Sequence, residues 1–150
     1  MFATTHRVIM HWFSVVLFLL AIVFAFINPT ELTFAEALLR WILFFNIGIQ
    51  GLWIASQKIL CSFDEDDNSS LFDVAVANLS LGVAGLFALS TNISYCIALS
   101  LVAGLFLLGS DMGYVIALKK KHSLSLHMTN PIFYTGLVVP AALFILCLTA

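Results

Sequence analysis

The sequence predicts an all-α protein in which five transmembrane helices form one polytopic membrane bundle, a single domain over residues 1–150. Its composition is 62% hydrophobic and 9% charged, whereas about a quarter of the residues of a soluble domain are charged. Five apolar segments each have about the 20 residues that a helix needs to cross a bilayer. Polar links separate these segments, so we expect lipid to be the solvent for most of the protein surface.

Each of the five segments has recognisable ends. The first ends at Asn28 and Pro29, and its long apolar core, with no clear small-x-small cleavage site after it, favours a retained helix over a signal peptide. Thr33, followed three residues later by Glu36, predicts a capping box at the start of the second helix. Pro140 predicts a kink in the fifth helix, because proline leaves one backbone carbonyl unpaired. The predicted helices cover residues 8–27, 34–57, 71–90, 95–118 and 131–148.

The third segment, 69–90, is predicted to be the central helix of the bundle. Small or polar residues line two of its faces at helical spacing, and small residues let neighbouring backbones approach closely. Gly82 and Gly85 are therefore expected at helix–helix contacts. The same role is expected of Gly109 and Gly113, which form a Gly-x-x-x-Gly pair in the fourth helix. The short polar turn between the two helices predicts that they form an antiparallel hairpin.

Basic residues determine the predicted orientation in the membrane. Five crossings put the two termini on opposite sides. Arg7, Lys58 and the run from Lys119 to Lys121 fall on one side, and Arg40 lies near the other. Because basic residues are enriched in cytoplasmic loops, we expect the N-terminus in the cytoplasm and the C-terminus outside. We expect this membrane to be the inner (plasma) membrane of the cell.

Five polar residues within the apolar segments form a candidate intramembrane site. Asp111 lies about two turns inside the cytoplasmic end of the fourth helix, and we expect its side chain to face the bundle interior. One interpretation is a proton, ion or polar-ligand site. The other is a hydrogen-bond network that fixes helix packing, with Asp73 capping the third helix at its positive end. The site is predicted from Asp111, Asp73, Asn78, Asn46 and Gln50.

Residues 6–12 are similar to the opening of bacterial di-haem cytochrome b proteins, in which the first helix carries a His-Trp pair. This resemblance makes His11 a candidate axial ligand of haem iron. The alternative is an ordinary histidine at the membrane surface, because no other histidine lies deep in a helix to pair with it. No cofactor and no metal ion are otherwise expected.

Cys96 and Cys147 both lie near the predicted outer face. A disulfide between them requires Cα atoms within about 7 Å of each other, and the alternative role is that of small apolar side chains in the core. Cys61 forms no Cys-x-x-Cys motif with either of them, so neither a zinc site nor a disulfide framework is expected.

One pattern extends over the second to fifth helices and consists of residues 46–53, 73–85 and 109–114, with Asn130 and Pro140. This pattern resembles that of a family of small bacterial integral membrane proteins of unknown function. The resemblance implies a multi-helix protein of a bacterial inner membrane and implies no activity. The family carries an acid, usually Glu, where Asp73 stands, and a Gly-His pair where this chain reads Ala-Ser-Gln. In size and helix spacing the chain is also similar to DoxX-like four-helix membrane proteins.

Two classes of function remain open. The first is a structural or accessory membrane subunit, which associates with itself as a homo-oligomer or with a larger membrane assembly. The sequence has no nucleophile–base pair, phosphate-binding glycine loop or metal-ligand spacing, so this class is favoured over an enzyme. The second is a small transporter, or a redox protein associated with haem or quinone, that uses the polar half-bundle around Asp111 and His11. The lipid bilayer is a partner in both cases. Nucleic acid is not, because the net charge is −2 and no basic–aromatic pattern occurs.

Overall fold

The computed structural model describes residues 2–28, 33–62, 69–120 and 131–150, and every regular element in these ranges is a helix. Five long helices follow the five apolar segments of the sequence. The second of them changes from α- to π- and back to α-helical hydrogen bonding without a break, and we call it the long helix 34–62. In chain order the elements are α1 (Phe2–Ile27), α2 (Phe34–Ile42), the π-helical segment (Leu43–Ile49), α3 (Gln50–Ser62), α4 (Ser69–Leu86), a 3-10 turn (Phe87–Leu89), α5 (Ile93–Lys120) and α6 (Pro131–Thr149).

All five predicted helices are present, and the all-α class is confirmed for the described residues. Three stretches are long and apolar enough to cross a membrane, namely Phe34–Leu60, Phe72–Leu89 and Ile93–Ser110. Within the part of the chain whose side chains are described, α1 and α6 contribute the shorter apolar helices Trp12–Ile27 and Gly136–Thr149. The three longer stretches thus have the length and composition expected of membrane-spanning helices.

The long helix 34–62 begins as the sequence predicts. Thr33 Oγ1 accepts a hydrogen bond from the backbone N–H of Glu36 at 3.3 Å, and the Glu36 carboxylate accepts one from the backbone N–H of Thr33 at 3.0 Å. These bonds satisfy two N–H groups that lack a partner inside the helix. The predicted capping box is therefore confirmed.

The centre of the bundle is the long helix 34–62. Its first part, α2, packs against α1 and α6, and its π-helical segment and α3 pack against α4. The side chains of Leu39, Ile42 and Leu43 are fully buried. The prediction that the third apolar segment is central was therefore wrong. Small residues indicate how closely one neighbouring helix approaches. They do not indicate how many helices surround the helix that carries them.

The small residues of α4 serve one close contact with the long helix. A Cβ built on Gly85 would lie 2.5 Å from the backbone nitrogen of Gly48, and one built on Gly82 would lie 2.8 Å from that of Leu52. Gly82 and Gly85 thus lie at a helix–helix contact, as expected. Gly109 does not: it is exposed, and a Cβ built there has no heavy atom of the described residues within 4 Å. The surroundings of Gly113 lie outside the described residues.

The fourth and fifth helices form the second close pair. α5 packs mainly against α6, and Pro140 is fully buried within α6. Contacts between α4 and α5 are few, although only the 3-10 turn and the short turn after it separate them. The predicted hairpin is therefore not packed along its length, because each of its helices has a closer neighbour elsewhere.

Hydrogen bonds connect the C-terminal end of α4 to the long helix. The Arg40 guanidinium donates hydrogen bonds to the backbone carbonyls of Ala88 and Thr91, where the negative end of the α4 dipole is expected. The thiol of Cys96 donates to the same Ala88 carbonyl at 3.4 Å. Cys147 is also a free thiol. The structure therefore supports the packing role of these two cysteines and contains no disulfide between them.

Candidate functional site

A partly open cavity of about 180 Å³ lies between α1, the π-helical segment, α3, α4, α5 and α6. Most of its wall is apolar and includes Ile54, Leu81, Phe106, Leu107 and Val139. The polar residues on its wall are Ser14, Asn46, Gln50, Lys58, Asn78 and Ser110. The combination of an apolar wall and a few polar groups is typical of small-molecule binding sites.

Three of the polar side chains form a hydrogen-bond cluster between α1 and the long helix. Ser14 Oγ donates to Gln50 Oε1 at 2.9 Å. Asn46 Nδ2 donates to the same Gln50 oxygen at 3.3 Å and to the backbone carbonyl of Ser14 at 3.2 Å. Both hydrogen bonds of Asn46 Nδ2 thus end on oxygen atoms. In a flipped amide the Asn46 oxygen would face these two oxygens, and neither hydrogen bond could form. These bonds fix the orientation of the Asn46 side chain.

The Asn46 carbonyl oxygen is left without a partner. Only 5% of Asn46 is exposed, and its Oδ1 is buried and accepts no hydrogen bond from a described residue. A buried acceptor without a partner costs about 1–3 kcal/mol. A group bound in the cavity could recover this energy by donating a hydrogen bond to Oδ1.

The same cluster presents a donor beside this acceptor. Because Gln50 Oε1 already accepts from Ser14 and Asn46, the Gln50 amide nitrogen is the group left for other partners, and it has none among the described residues. Asn78, which lines the cavity from α4, uses its amide nitrogen for the carbonyl of Val74 in its own helix at 2.8 Å. The cluster can therefore offer one acceptor and one donor to a molecule in the cavity.

Local helix geometry explains why these side chains share one face. Residues four apart lie close together on an α-helix, because one turn takes 3.6 residues, and a π-helical turn, which closes from i to i+5, also brings residues four and five apart together. Asn46 lies in the π-helical segment and Gln50 directly follows it. Further along α3, Ile54 and Lys58 continue the same face and also line the cavity. π-helical turns occur frequently at functional sites, and here the backbone hydrogen bonding changes from α- to π-helical next to the polar cluster.

The structure brings together three of the five residues of the predicted site. Asn46, Gln50 and Asn78 all line the cavity. Asp73 is exposed on α4 and does not line the cavity with them. It lies four residues after the start of α4, so it does not occupy the capping position that one interpretation gave it. The side chain of Asp111 lies outside the described residues.

The haem hypothesis rests on His11, and the side chain of His11 also lies outside the described residues. Among the described residues, no three His, Cys, Asp or Glu side chains form a group that could hold a metal ion.

Sequence reasoning missed three polar residues of the cavity wall, Ser14, Lys58 and Ser110. Ser14 interrupts an otherwise apolar segment, and this interruption was the signal that could have identified it. Lys58 was interpreted only as an orientation signal, although a lysine at a helix end can also turn its long side chain along an apolar wall. Ser110 directly precedes Asp111 in sequence, and only the acid was predicted to be a site residue.

Comparison with known proteins gives one match. No curated protein and no solved structure matches the chain. A family of unknown function, DUF6790, matches residues 66–150, which is more than half of the chain. The match includes α4, α5 and α6, which form one side of the cavity, whereas Ser14, Asn46, Gln50 and Lys58 lie outside it. The expectation of an uncharacterised family is thereby confirmed, and the chain belongs to the family of unknown function DUF6790.

Proposed function

We propose that the protein is an integral membrane protein that binds a small polar molecule inside its helical bundle, as a carrier or receptor. The observation that carries this proposal is the unpartnered Asn46 Oδ1 on the wall of a cavity of about 180 Å³. An engineered apolar cavity of about 150 Å³ is large enough to bind benzene. The present cavity is of the same size class, and its polar cluster adds hydrogen-bonding groups for a more polar molecule.

The proposal includes five membrane crossings in the inner membrane, with the N-terminus in the cytoplasm. Arg40 and Lys58 support a crossing by the long helix, because they lie 18 residues apart, or about 27 Å at about 1.5 Å per residue. That distance is close to the thickness of the hydrocarbon core, about 30 Å. With Lys58 on the cytoplasmic side, the cavity lies in the cytoplasmic half of the bundle.

The rival hypothesis is a structural or accessory subunit that associates with itself or with a larger membrane assembly. Under that hypothesis the polar cluster only holds α1 against the long helix. Filling the cavity would then leave the associations of the protein unchanged, and no small molecule would accompany it through purification. The two hypotheses therefore differ in what the cavity contains.

The test uses a matched pair of variants on α5. Ala103 is fully buried on the cavity wall, and Ala98 is exposed on the same helix. Wild type, Ala103→Leu and Ala98→Leu are purified in a mild non-ionic detergent, and small molecules that accompany each protein are measured by mass spectrometry. We expect one compound in wild type and Ala98→Leu that is lost in Ala103→Leu. A second variant, Ser110→Phe, blocks the cavity from an exposed position in case Ala103→Leu folds poorly.

Two results would contradict the proposal. The first is the absence of any accompanying small molecule from wild type together with an unchanged melting temperature in a folded cavity-filled variant. The second is an equal amount of the same compound in wild type, Ala103→Leu and Ser110→Phe, because a compound bound elsewhere would not respond to these changes. Either result would favour the structural subunit.

A further inference from the structure

The cavity wall carries one positive charge. Lys58 is half-buried, lines the cavity and forms no salt bridge with a described residue. Among the described wall residues it is the only charged one. A cation on a wall whose other described residues are uncharged favours a negatively charged partner, since burial of a charge without an opposite charge is costly. Lys58 can balance one negative charge, and a phosphate dianion would leave its second charge uncompensated on a wall with no other described charge. A carboxylate therefore suits this wall better than a phosphate dianion.

The charge and the polar cluster lie at different ends of the cavity. Gln50 and Lys58 are eight residues apart on α3, which corresponds to about 12 Å at about 1.5 Å per residue. Ile54 lies between them on the same face, and Phe106 and Leu107 line the cavity from α5. A molecule that contacts both ends must therefore carry an apolar body between two polar groups.

Resting on the proposed function, we infer that the bound molecule is a small organic carboxylate with a hydrogen-bond donor at the end remote from its charge. The carboxylate lies against Lys58, and the apolar body lies along Ile54 and the residues of α5. The remote donor, a hydroxyl or an N–H group, donates to Asn46 Oδ1. A hydroxyl at this position also accepts a hydrogen bond from the Gln50 amide. The cavity volume corresponds to about six to ten non-hydrogen atoms, judged by the cavity that holds benzene.

Three probes of matched length separate these contacts. They are 6-hydroxyhexanoate, which has both end groups, hexanoate, which lacks the donor, and hexane-1,6-diol, which lacks the charge. Binding to the full-length protein in a non-ionic detergent is measured by titration calorimetry, with Ala103→Leu as the control for partition into micelles. We expect 6-hydroxyhexanoate to bind about three- to tenfold more tightly than hexanoate, and about 10- to 100-fold more tightly than the diol, from the usual strengths of neutral and charged hydrogen bonds.

Two variants assign the contacts to residues. In Lys58→Gln the advantage of 6-hydroxyhexanoate over the diol should disappear. In Asn46→Leu its advantage over hexanoate should disappear, while the preference for a charged probe remains. Variants that leave both advantages unchanged would overturn the inference, because the charge and the donor would then be recognised elsewhere.

The outcomes distinguish this inference from the proposed function. If the diol binds wild type as tightly as 6-hydroxyhexanoate and Ala103→Leu binds neither, the cavity is a binding site and the carboxylate inference is wrong. If Asp111→Asn gains affinity for the anionic probes that wild type lacks, the Asp111 carboxylate neutralises the site, and the inference is again wrong. If none of the probes binds while a neutral compound accompanies the purified protein, only the inference fails.

Discussion

The contact between α4 and the π-helical segment gives the sharpest test of the packing. In Gly85→Ala the new methyl group would lie 2.5 Å from the Gly48 nitrogen and 2.8 Å from both the Gly48 Cα and the Leu43 carbonyl oxygen. All three are backbone atoms, so no side chain can move aside. Ordinary contacts begin at about 3.4 Å, so the two helices must separate by about 0.9 Å. A radial gap of about 0.5–1 Å forfeits roughly a quarter to a half of the dispersion energy of the atoms along it.

The expected cost follows from two opposing effects. Overpacking costs about 1–3 kcal/mol, and the better helix propensity of alanine returns up to about 1 kcal/mol. We therefore expect Gly85→Ala to lose about 1–2 kcal/mol of stability, or roughly 2–8 °C in melting temperature at about 2–4 °C per kcal/mol. The matched control is Gly109→Ala, whose methyl group meets open space and should not destabilise. Melting is followed by circular dichroism in detergent. Equal melting temperatures for Gly85→Ala and the parent would refute the close contact.

Three further predictions concern other parts of the chain. Arg40→Leu should lower the melting temperature more than Arg40→Lys, because it leaves two backbone carbonyls at the end of α4 without their charged donor; equal melting of both variants would contradict this. Reporter fusions should place Ala150 outside the cell and Lys58 in the cytoplasm, and a cytoplasmic C-terminus would exclude five crossings. Asp111→Asn should fold and keep its associations if the carboxylate is structural, and should fold but lose ligand binding or transport if the carboxylate is functional; an unfolded variant would contradict both interpretations.

The positions of the helices could be predicted from the sequence because apolar length is a local property. Each apolar run must satisfy its own backbone hydrogen bonds in lipid, and Thr33 and Glu36 mark a helix start by short-range bonding alone. The arrangement of the helices is not local. The glycines of α4 correctly predicted a close helix–helix contact. The identity of the neighbouring helix could not be predicted from α4, because it depends on the surface of the long helix.

Part of the candidate site could also be predicted from local properties of the sequence. Asn46, Gln50 and Asn78 are costly in an apolar helix, so each was expected to turn inward, and the cavity is where they meet. Ser14 could be recognised as a polar interruption of α1, but its partners in this site could not be predicted, because the rotation of α1 about its own axis depends on all of its neighbours. The π-helical segment could not be predicted from residues 43–49, since neither Asn46 nor Gly48 specifies π-helical rather than α-helical hydrogen bonding. It occurs where α4 approaches most closely, and this approach is a property of the assembled bundle.

The π-helical segment has a consequence for how the length of the long helix can vary among relatives. An α-helix turns by about 100° per residue, so deleting one residue from a regular helix would carry Gln50 and Lys58 to another face. A π-helical loop encloses one more residue than an α-helical loop, because its hydrogen bonds join i to i+5. A deletion within Leu43–Ile49 can therefore be absorbed by a return to α-helical bonding, with the faces of α2 and α3 unchanged. Homologous chains that lack one residue here should accordingly be α-helical throughout the long helix.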